Sequence, residues 1–359
     1  MNVNQTLELI NKNIRTLKEY HLKPEDTPVK LNQNENPLDW PRSIKNDIAE
    51  FVRERPWNRY PNFVPDELKK ALARFSGLSP DNIIAGNGSN EMLLDLLISL
   101  TQPDRAVIIC QPTFSLYQIL IEGLGRKALI LYANDDLTYN EKNIIDACVK
   151  NPKALLIICS PNNPTGSVLS ESHIREILDR HKGFFILDQA YVEFGGYSAI
   201  PLIKEYPNLI ITRTLSKAFR GAGLRLGYML GTPEIIKEIN KIKLPYNINF
   251  FSEHVAIVAL SRKEELEETV KLIQPQRQKL FDFLKTLPLD NVYPSSANFI
   301  CIRTGNKNSL FQYLKENGIL IRDVSSYPLL ENCLRISVGS EEENELLMQK
   351  LSHFFINHT

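Results

Sequence analysis

Lys217 follows an apolar run, Leu209-Ile210-Ile211, within the stretch NLIITRTLSKAFRGAGLRLGY, and small residues surround it. Ser216 precedes it, Gly221 and Gly223 follow, and Arg225 closes the segment. A lysine led out of a buried strand can attack a carbonyl through its amine and later carry a proton. Three other apolar runs end in equally polar residues. AVIIC exits into QPTF with Phe114, ALLIIC into SPNNPTG with Asn163, and FFILD into DQAYVEF with Asp188 and Tyr191. Upstream, AGNGSNEML sets Gly88, Ser89 and Asn90 at the start of a helix. The free N–H groups and positive dipole end of such a helix suit a phosphate.

One cofactor needs this set of groups, pyridoxal 5'-phosphate. Its aldehyde needs a lysine, Lys217, first for a Schiff base and then for proton transfer at the substrate α-carbon. Its pyridine nitrogen needs a carboxylate, Asp188, which keeps the ring protonated and offsets the cost of burying that charge. The phosphate needs the helix start at Ser89 and Asn90 and a forked cation, Arg225. Asn163 and Tyr191 fit the phenolic oxygen, and Phe114 the ring face. Each feature alone has a plainer role. GNGSN is a turn and lacks the dinucleotide pattern GxGxxG. Asn-Pro-Thr-Gly is good turn chemistry, and an aspartate ending a strand often caps a helix. Their convergence on one edge of one sheet points to a site.

That convergence depends on the elements behind it. Short apolar runs near 82, 106, 127, 154, 184, 209 and 226 read as strands, and amphipathic stretches such as NEMLLDLLISL and ESHIREILDRH read as helices between them. Strands apolar on both faces and alternating with helices predict an α/β fold: a mostly parallel seven-stranded sheet covered on both sides, with ligands at the strands' carboxyl ends. The pattern changes at Phe251. A long helical stretch, expected to kink or divide at Pro275, leads to the strands ANFICIR, ILIRDV and CLRISVG. The expected organisation is an N-terminal arm over 1–35, a large pyridoxal-phosphate-binding domain over 36–250 and a smaller α+β domain over 251–359.

Composition excludes other classes. Lys+Arg and Asp+Glu are both 42 in 359 residues, so the neutral chain suits neither nucleic acid nor an anionic membrane surface as a bulk partner. No apolar run reaches the ~18 residues of a membrane span. The five cysteines show no CxxC spacing and mostly adjoin Ile, Val or Leu, which predicts reduced buried thiols and a cytoplasmic protein. The six histidines form no HxxxH pair or Cys/His cluster, so no metal site is expected. The N-terminal segment lacks an apolar signal core.

The motifs LNQNENP, NRYP, GNGSNE, PTF, SPNNPTG, DQAYVEF, RTLSKAF, GLRLGY, KLPYNIN, ILIRD and CLRISVG run through nearly the whole chain. On them the chain resembles the fold-type-I, aspartate aminotransferase-like pyridoxal phosphate enzymes, and most closely the histidinol-phosphate aminotransferases. The resemblance implies that Lys217 is the Schiff-base lysine, with Asp188 and Tyr191 beside it in the catalytic set. It implies that Ser89, Asn90, Thr214, Ser216 and Arg225 hold the phosphate, that Asn163 and Tyr191 bond the phenolic oxygen, and that Phe114 stacks on the ring. Tyr60 of NRYP would reach the cofactor phosphate of a neighbouring subunit, which implies a homodimer with shared active sites. Arg335 would clamp a substrate carboxylate, Arg322 and Tyr20 would contact the distal group, and Asn34 would lie near the substrate.

The implied partners are a small-molecule amino donor and a 2-oxo acid. The implied activity moves an amino group between histidinol phosphate and 2-oxoglutarate in histidine biosynthesis. An aromatic amino acid aminotransferase or a threonine-phosphate decarboxylase shares the fold and motifs. A non-catalytic regulator joined to a DNA-binding module does not suit the chain, because only about thirty residues precede LNQNENP. Two positions depart from the family pattern: Phe114 stands where a tyrosine is usual, and Gln189 where a glutamate is usual.

Overall fold

A computed structural model describes residues 2–17 and 27–358; Tyr20 lies outside the described residues. The seven apolar runs form one sheet. Its spatial order is Ile83–Gly86, Gly227–Leu230, Leu209–Thr214, Phe185–Asp188, Leu155–Cys159, Ala106–Gln111 and Lys127–Tyr132. The last five run parallel to one another, while Gly227–Leu230 lies antiparallel to both of its neighbours. The three strands beginning at Leu155, Phe185 and Leu209 are buried along their whole length, as strands covered on both faces must be. Among the covering helices, Glu171–Arg180 has its own end signals. The Ser170 side chain accepts from the His173 N–H, with Glu171 in the first turn and Arg180 in the last.

A second sheet, in the order Arg322–Asp323, Cys333–Ser337, Phe299–Arg303 and Asn291–Tyr293, is antiparallel throughout. It has a core of its own, in which Leu280 and Leu284 pack with Ile300, Ile302, Leu334 and Ile336. Val29 and Leu31 belong to that core, although they are far away in sequence.

Two expectations need correction. ILIRDV is not one strand. Ile319–Leu320 pairs in parallel with Val29–Lys30, and after Ile321 the chain joins the second sheet as Arg322–Asp323. The apolar half is claimed by the N-terminal strand and the polar half by the sheet beside the cavity. Nor does Pro275 divide the long helical stretch. The break is at Arg262, between helices Phe250–Ser261 and Lys263–Leu284, and Pro275 lies inside the second helix. Arg220 anchors the start of that helix through Glu265 and Glu268, each at 2.8 Å. Ile273, Leu280 and Leu284 are buried on either side of the proline, so packing carries the helix through the lost N–H bond. Among the described residues, no helix is long and apolar enough to cross a membrane.

Candidate active site

A cavity of about 320 Å³ opens at the carboxyl ends of the parallel strands, closed on its far side by the second sheet and by residues 32–34. Asn34, Ser89, Asn90, Phe114, Asn163, Asp188, Tyr191, Thr214, Ser216, Lys217, Arg225, Arg322 and Arg335 all line it. Of the cofactor- and substrate-contacting side chains expected from the sequence, Tyr60 alone among the described ones lies elsewhere. It is 79 % exposed and stacks on Tyr246 with ring centroids 4.7 Å apart.

Lys217 leaves the end of strand Leu209–Thr214 and turns into the cavity. Its Nζ donates to the Gln33 carbonyl at 2.9 Å and lies 5.7 Å from the centre of the Tyr191 ring. Burial, with Arg335 nearby, pulls its pKa from the ordinary lysine value down to about 7. The amine is therefore half neutral near neutral pH, which a nucleophile or proton carrier requires. Asn36 Nδ2 donates to the Lys217 and Ala218 carbonyls at 3.1 and 3.2 Å, which ties the lysine's loop to the NENP segment.

One end of the cavity is built for an anion. Thr214 Oγ1 and Ser216 Oγ lie 2.9 Å apart, and Arg225 Nη1 donates to Ser216 Oγ at 3.3 Å. Helix Gly88–Leu100 points its N-terminus there, and Asn87 gives it no side-chain cap. Two glycines permit the close approach. A Cβ on Gly88 (φ +78) would meet Arg225 Nη2 at 2.8 Å, and one on Gly227 would strike the Ser89 backbone nitrogen at 2.2 Å.

At the middle of the cavity Asp188 is held by two neutral donors, Tyr117 Oη to Oδ2 at 2.6 Å and the Ala190 N–H to Oδ1 at 3.1 Å. Burial pushes its pKa above the usual carboxylate range, against the Tyr117 hydrogen bond. The Tyr191 hydroxyl accepts from Asn34 Nδ2 at 3.1 Å, and burial raises its pKa as well. Asn34 (φ 54) is itself clamped: its N–H donates to Ser337 Oγ at 2.9 Å, and its carbonyl accepts from Asn298 Nδ2 at 3.1 Å.

Two arginines, opposite each other in register on neighbouring strands of the second sheet, face the strand-end residues. Arg335 is 7 % exposed. It donates to Asn163 Oδ1 and, at 2.7 Å, to the Asn32 carbonyl, and it lies over the Phe299 ring at 5.3 Å. Arg322 has no ion pair or hydrogen bond to any described residue, so its guanidinium is available to an anion in the cavity.

The sequence reading missed several members. Tyr117 was legible in principle as the aromatic three residues after Phe114 in PTFSLY, one helical turn along. Asn32 and Gln33 act through main-chain carbonyls, which carry no side-chain signal. Gln189 lies behind the site. Its amide nitrogen donates to the Tyr197 carbonyl at 2.7 Å and its oxygen accepts from Arg213 Nη2 at 3.1 Å. A glutamate there could not make the first of these bonds, and Glu193 supplies Arg213 with a carboxylate at 3.7 Å.

Residues 26–351 match the family model of the class I and II aminotransferases. The chain belongs to the class I and II aminotransferases. As an aminotransferase it is 38% identical over 328 residues to the histidinol-phosphate aminotransferase of Chlorobaculum tepidum, covering 91% of this chain and 94% of that one. Its fold is similar to the crystal structure of the histidinol-phosphate aminotransferase from Clostridium acetobutylicum. The TM-score is 0.84 at 28% identity, over 92% of this chain and 99% of that one. It is also similar to the Sinorhizobium meliloti histidinol-phosphate aminotransferase solved in complex with pyridoxal-5'-phosphate, with a TM-score of 0.86 at 25% identity over 98% of both chains.

Proposed function

We propose that this aminotransferase uses pyridoxal 5'-phosphate to move an amino group between histidinol phosphate and 2-oxoglutarate, and that it works as a homodimer in the cytoplasm. The observation that carries the reading is the single cavity in which a partly neutral lysine, a buried carboxylate and two arginines converge. The cavity fits the cofactor. The glycine-lined cradle at Gly88 and Gly227, with Ser89, Asn90, Thr214, Ser216 and Arg225, suits its phosphate. Asp188 suits the ring nitrogen, Asn163 and Tyr191 the phenolic oxygen, and Phe114 a ring face. When bound, pyridoxal phosphate supplies a reactive carbonyl and an electron sink for the bond-breaking step.

The chain's own residues do the rest. Lys217 Nζ, neutral over part of the physiological range, takes the proton from the amine-bearing carbon of the substrate and returns it. Asp188 holds a proton on the ring nitrogen. Tyr191, fixed by Asn34, orients the phenolic side. Arg225 and Ser216 keep the phosphate in place. Histidinol phosphate carries a phosphate and no carboxylate, whereas glutamate carries two carboxylates. The planar fork of arginine pairs with either, so Arg322 and Arg335 can serve both substrates.

Support for the dimer comes from the surface. Tyr60, Phe63 and Tyr246 are exposed together, with Tyr60 and Phe63 both packed on the Tyr246 ring. Exposed aromatic clusters of this kind mark interaction surfaces. A partner on this surface would put Tyr60 within the assembly, as expected if it reaches the neighbour's phosphate.

The deciding experiment is a half-reaction screen. Holoenzyme is mixed separately with histidinol phosphate, glutamate, phenylalanine, tyrosine and threonine phosphate, and the visible absorbance of the cofactor is followed. Histidinol phosphate and glutamate should discharge it. Rapid reaction with the aromatic amino acids and none with histidinol phosphate would replace the substrate assignment. Release of carbon dioxide from threonine phosphate would identify a decarboxylase.

A further inference from the structure

Asp188 poses an electrostatic problem. It is 3 % exposed, and among the described residues no lysine or arginine forms an ion pair with it. The groups at its two oxygens are neutral: the Ala190 N–H and the Tyr117 hydroxyl donate to them, and the Thr212 hydroxyl lies beside them on the neighbouring strand. Tyr139, Cys159 and Tyr191, the other titratable groups close to it, are buried acids whose ionisation is pushed upward, so none adds positive charge. A carboxylate in such surroundings drifts towards its neutral acid unless donors hold its charged form. A neutral acid could not hold a proton on a pyridine nitrogen.

Tyr117 is the stronger of the two donors by geometry, at 2.6 Å against 3.1 Å. It is fully buried on helix Leu116–Gly123, and its ring meets Phe114 edge-on, with centroids 5.7 Å apart and planes at 88°. We propose that Tyr117 is a positioning residue of the reaction: its hydroxyl holds Asp188 as the carboxylate aimed at the ring nitrogen of pyridoxal phosphate, and its ring fixes Phe114 as the cover of the ring face. This rests on the pyridoxal phosphate reading above. A tyrosine serves where a cation would fail, because a cation beside Asp188 would compete with the ring nitrogen for the same charge.

The test is a binding comparison on the full chain stripped of cofactor. Affinity is measured for pyridoxal phosphate and for the analogue with carbon in place of the ring nitrogen. Tyr117→Phe keeps the ring and removes the hydroxyl. It should weaken pyridoxal phosphate about ten-fold, the scale of a hydrogen bond to a charged group, and leave the analogue unchanged. Equal loss for both compounds, or for neither, would overturn the proposal, since packing alone does not distinguish the two rings.

If Tyr117→Phe does not fold, the double variant with Asp188→Asn carries the test, because an amide needs no donor to hold a charge. The double variant should bind pyridoxal phosphate as well as Asp188→Asn alone, and a further loss would again overturn the role. Wild-type protein that binds neither compound would instead sink the cofactor reading itself.

Discussion

The two walls of the cavity are built differently. The large-sheet wall takes Phe114, Asn163, Asp188, Tyr191 and Lys217 from the ends of consecutive parallel strands or the turns just after them, so each side chain is positioned by its own strand. The opposite wall joins residues 32–34 to Arg322 and Arg335, and its contacts span some three hundred positions: Asn34 N–H to Ser337 Oγ and Arg335 to the Asn32 carbonyl. The first wall is held by pairing of strands in one sheet. The second adds to strand pairing a set of bonds between side chains and main chain of distant segments. On the proposed function, cofactor chemistry rests on the first wall and substrate recognition on the second.

The largest expected effect falls on the first wall. Lys217→Ala should fold, because burying a lysine amine costs stability and adds none. Transamination should fall by about 10²–10⁴-fold or more, the range of a positioned acid–base group, with the nucleophile lost besides. Near-normal turnover by this variant would remove the centre of the proposed mechanism.

The two arginines test the other wall. Replacing either by alanine leaves an anionic substrate group unpaired, at a cost of about 1.5–3 kcal/mol, or about a ten- to hundred-fold loss in kcat/KM. Stability should separate them. Arg335→Ala also strips the partner from Asn163 Oδ1 and from the Asn32 carbonyl, so its melting temperature should drop. Arg322→Ala breaks no bond to a described residue and should melt like the wild type. Equal melting of both variants would mean that Arg335 does not tie the walls together.

A smaller effect follows from pH. Lys217 titrates near 7 in the folded chain without cofactor, and only its neutral amine attacks an aldehyde. The rate of cofactor capture should rise roughly tenfold per unit below that midpoint and level off above it. The linkage has a definite sign: a lysine pKa depressed on folding gives a contribution present in full above the unfolded value near 10.5 and lost as pH falls through about 7. Stability of the cofactor-free chain should therefore rise with pH across that window. A capture rate flat between pH 6 and 8, a range of about one unit either side of the midpoint, would contradict the placement of Lys217.

The smallest change belongs to neither wall of one chain. Tyr60→Phe should weaken cofactor retention a few-fold, roughly the value of one hydrogen bond, without unfolding the protein. Mixed dimers of Lys217→Ala and Tyr60-defective subunits should regain activity at one site per dimer. A fully active monomer would break the shared-site arrangement.

Much of the large-sheet wall was legible in the sequence. Buried parallel strands announce themselves as unbroken apolar runs, and polar residues at their exits stand out against that background. The meeting of Lys217, Asp188 and Arg225 in one cavity could thus be read from residue type and place in the pattern. Tertiary structure alone decided that ILIRDV splits between two sheets, since its halves have different partners. It alone decided that the helix breaks at Arg262 while Pro275 is absorbed by packing. It alone brought Tyr117 to Asp188 and the Asn32 and Gln33 carbonyls to Arg335 and Lys217. Periodicity and residue type report what a segment can bury and which chemistry it carries. Main-chain acceptors and contacts between distant segments leave no such local imprint, because they depend on which surfaces meet.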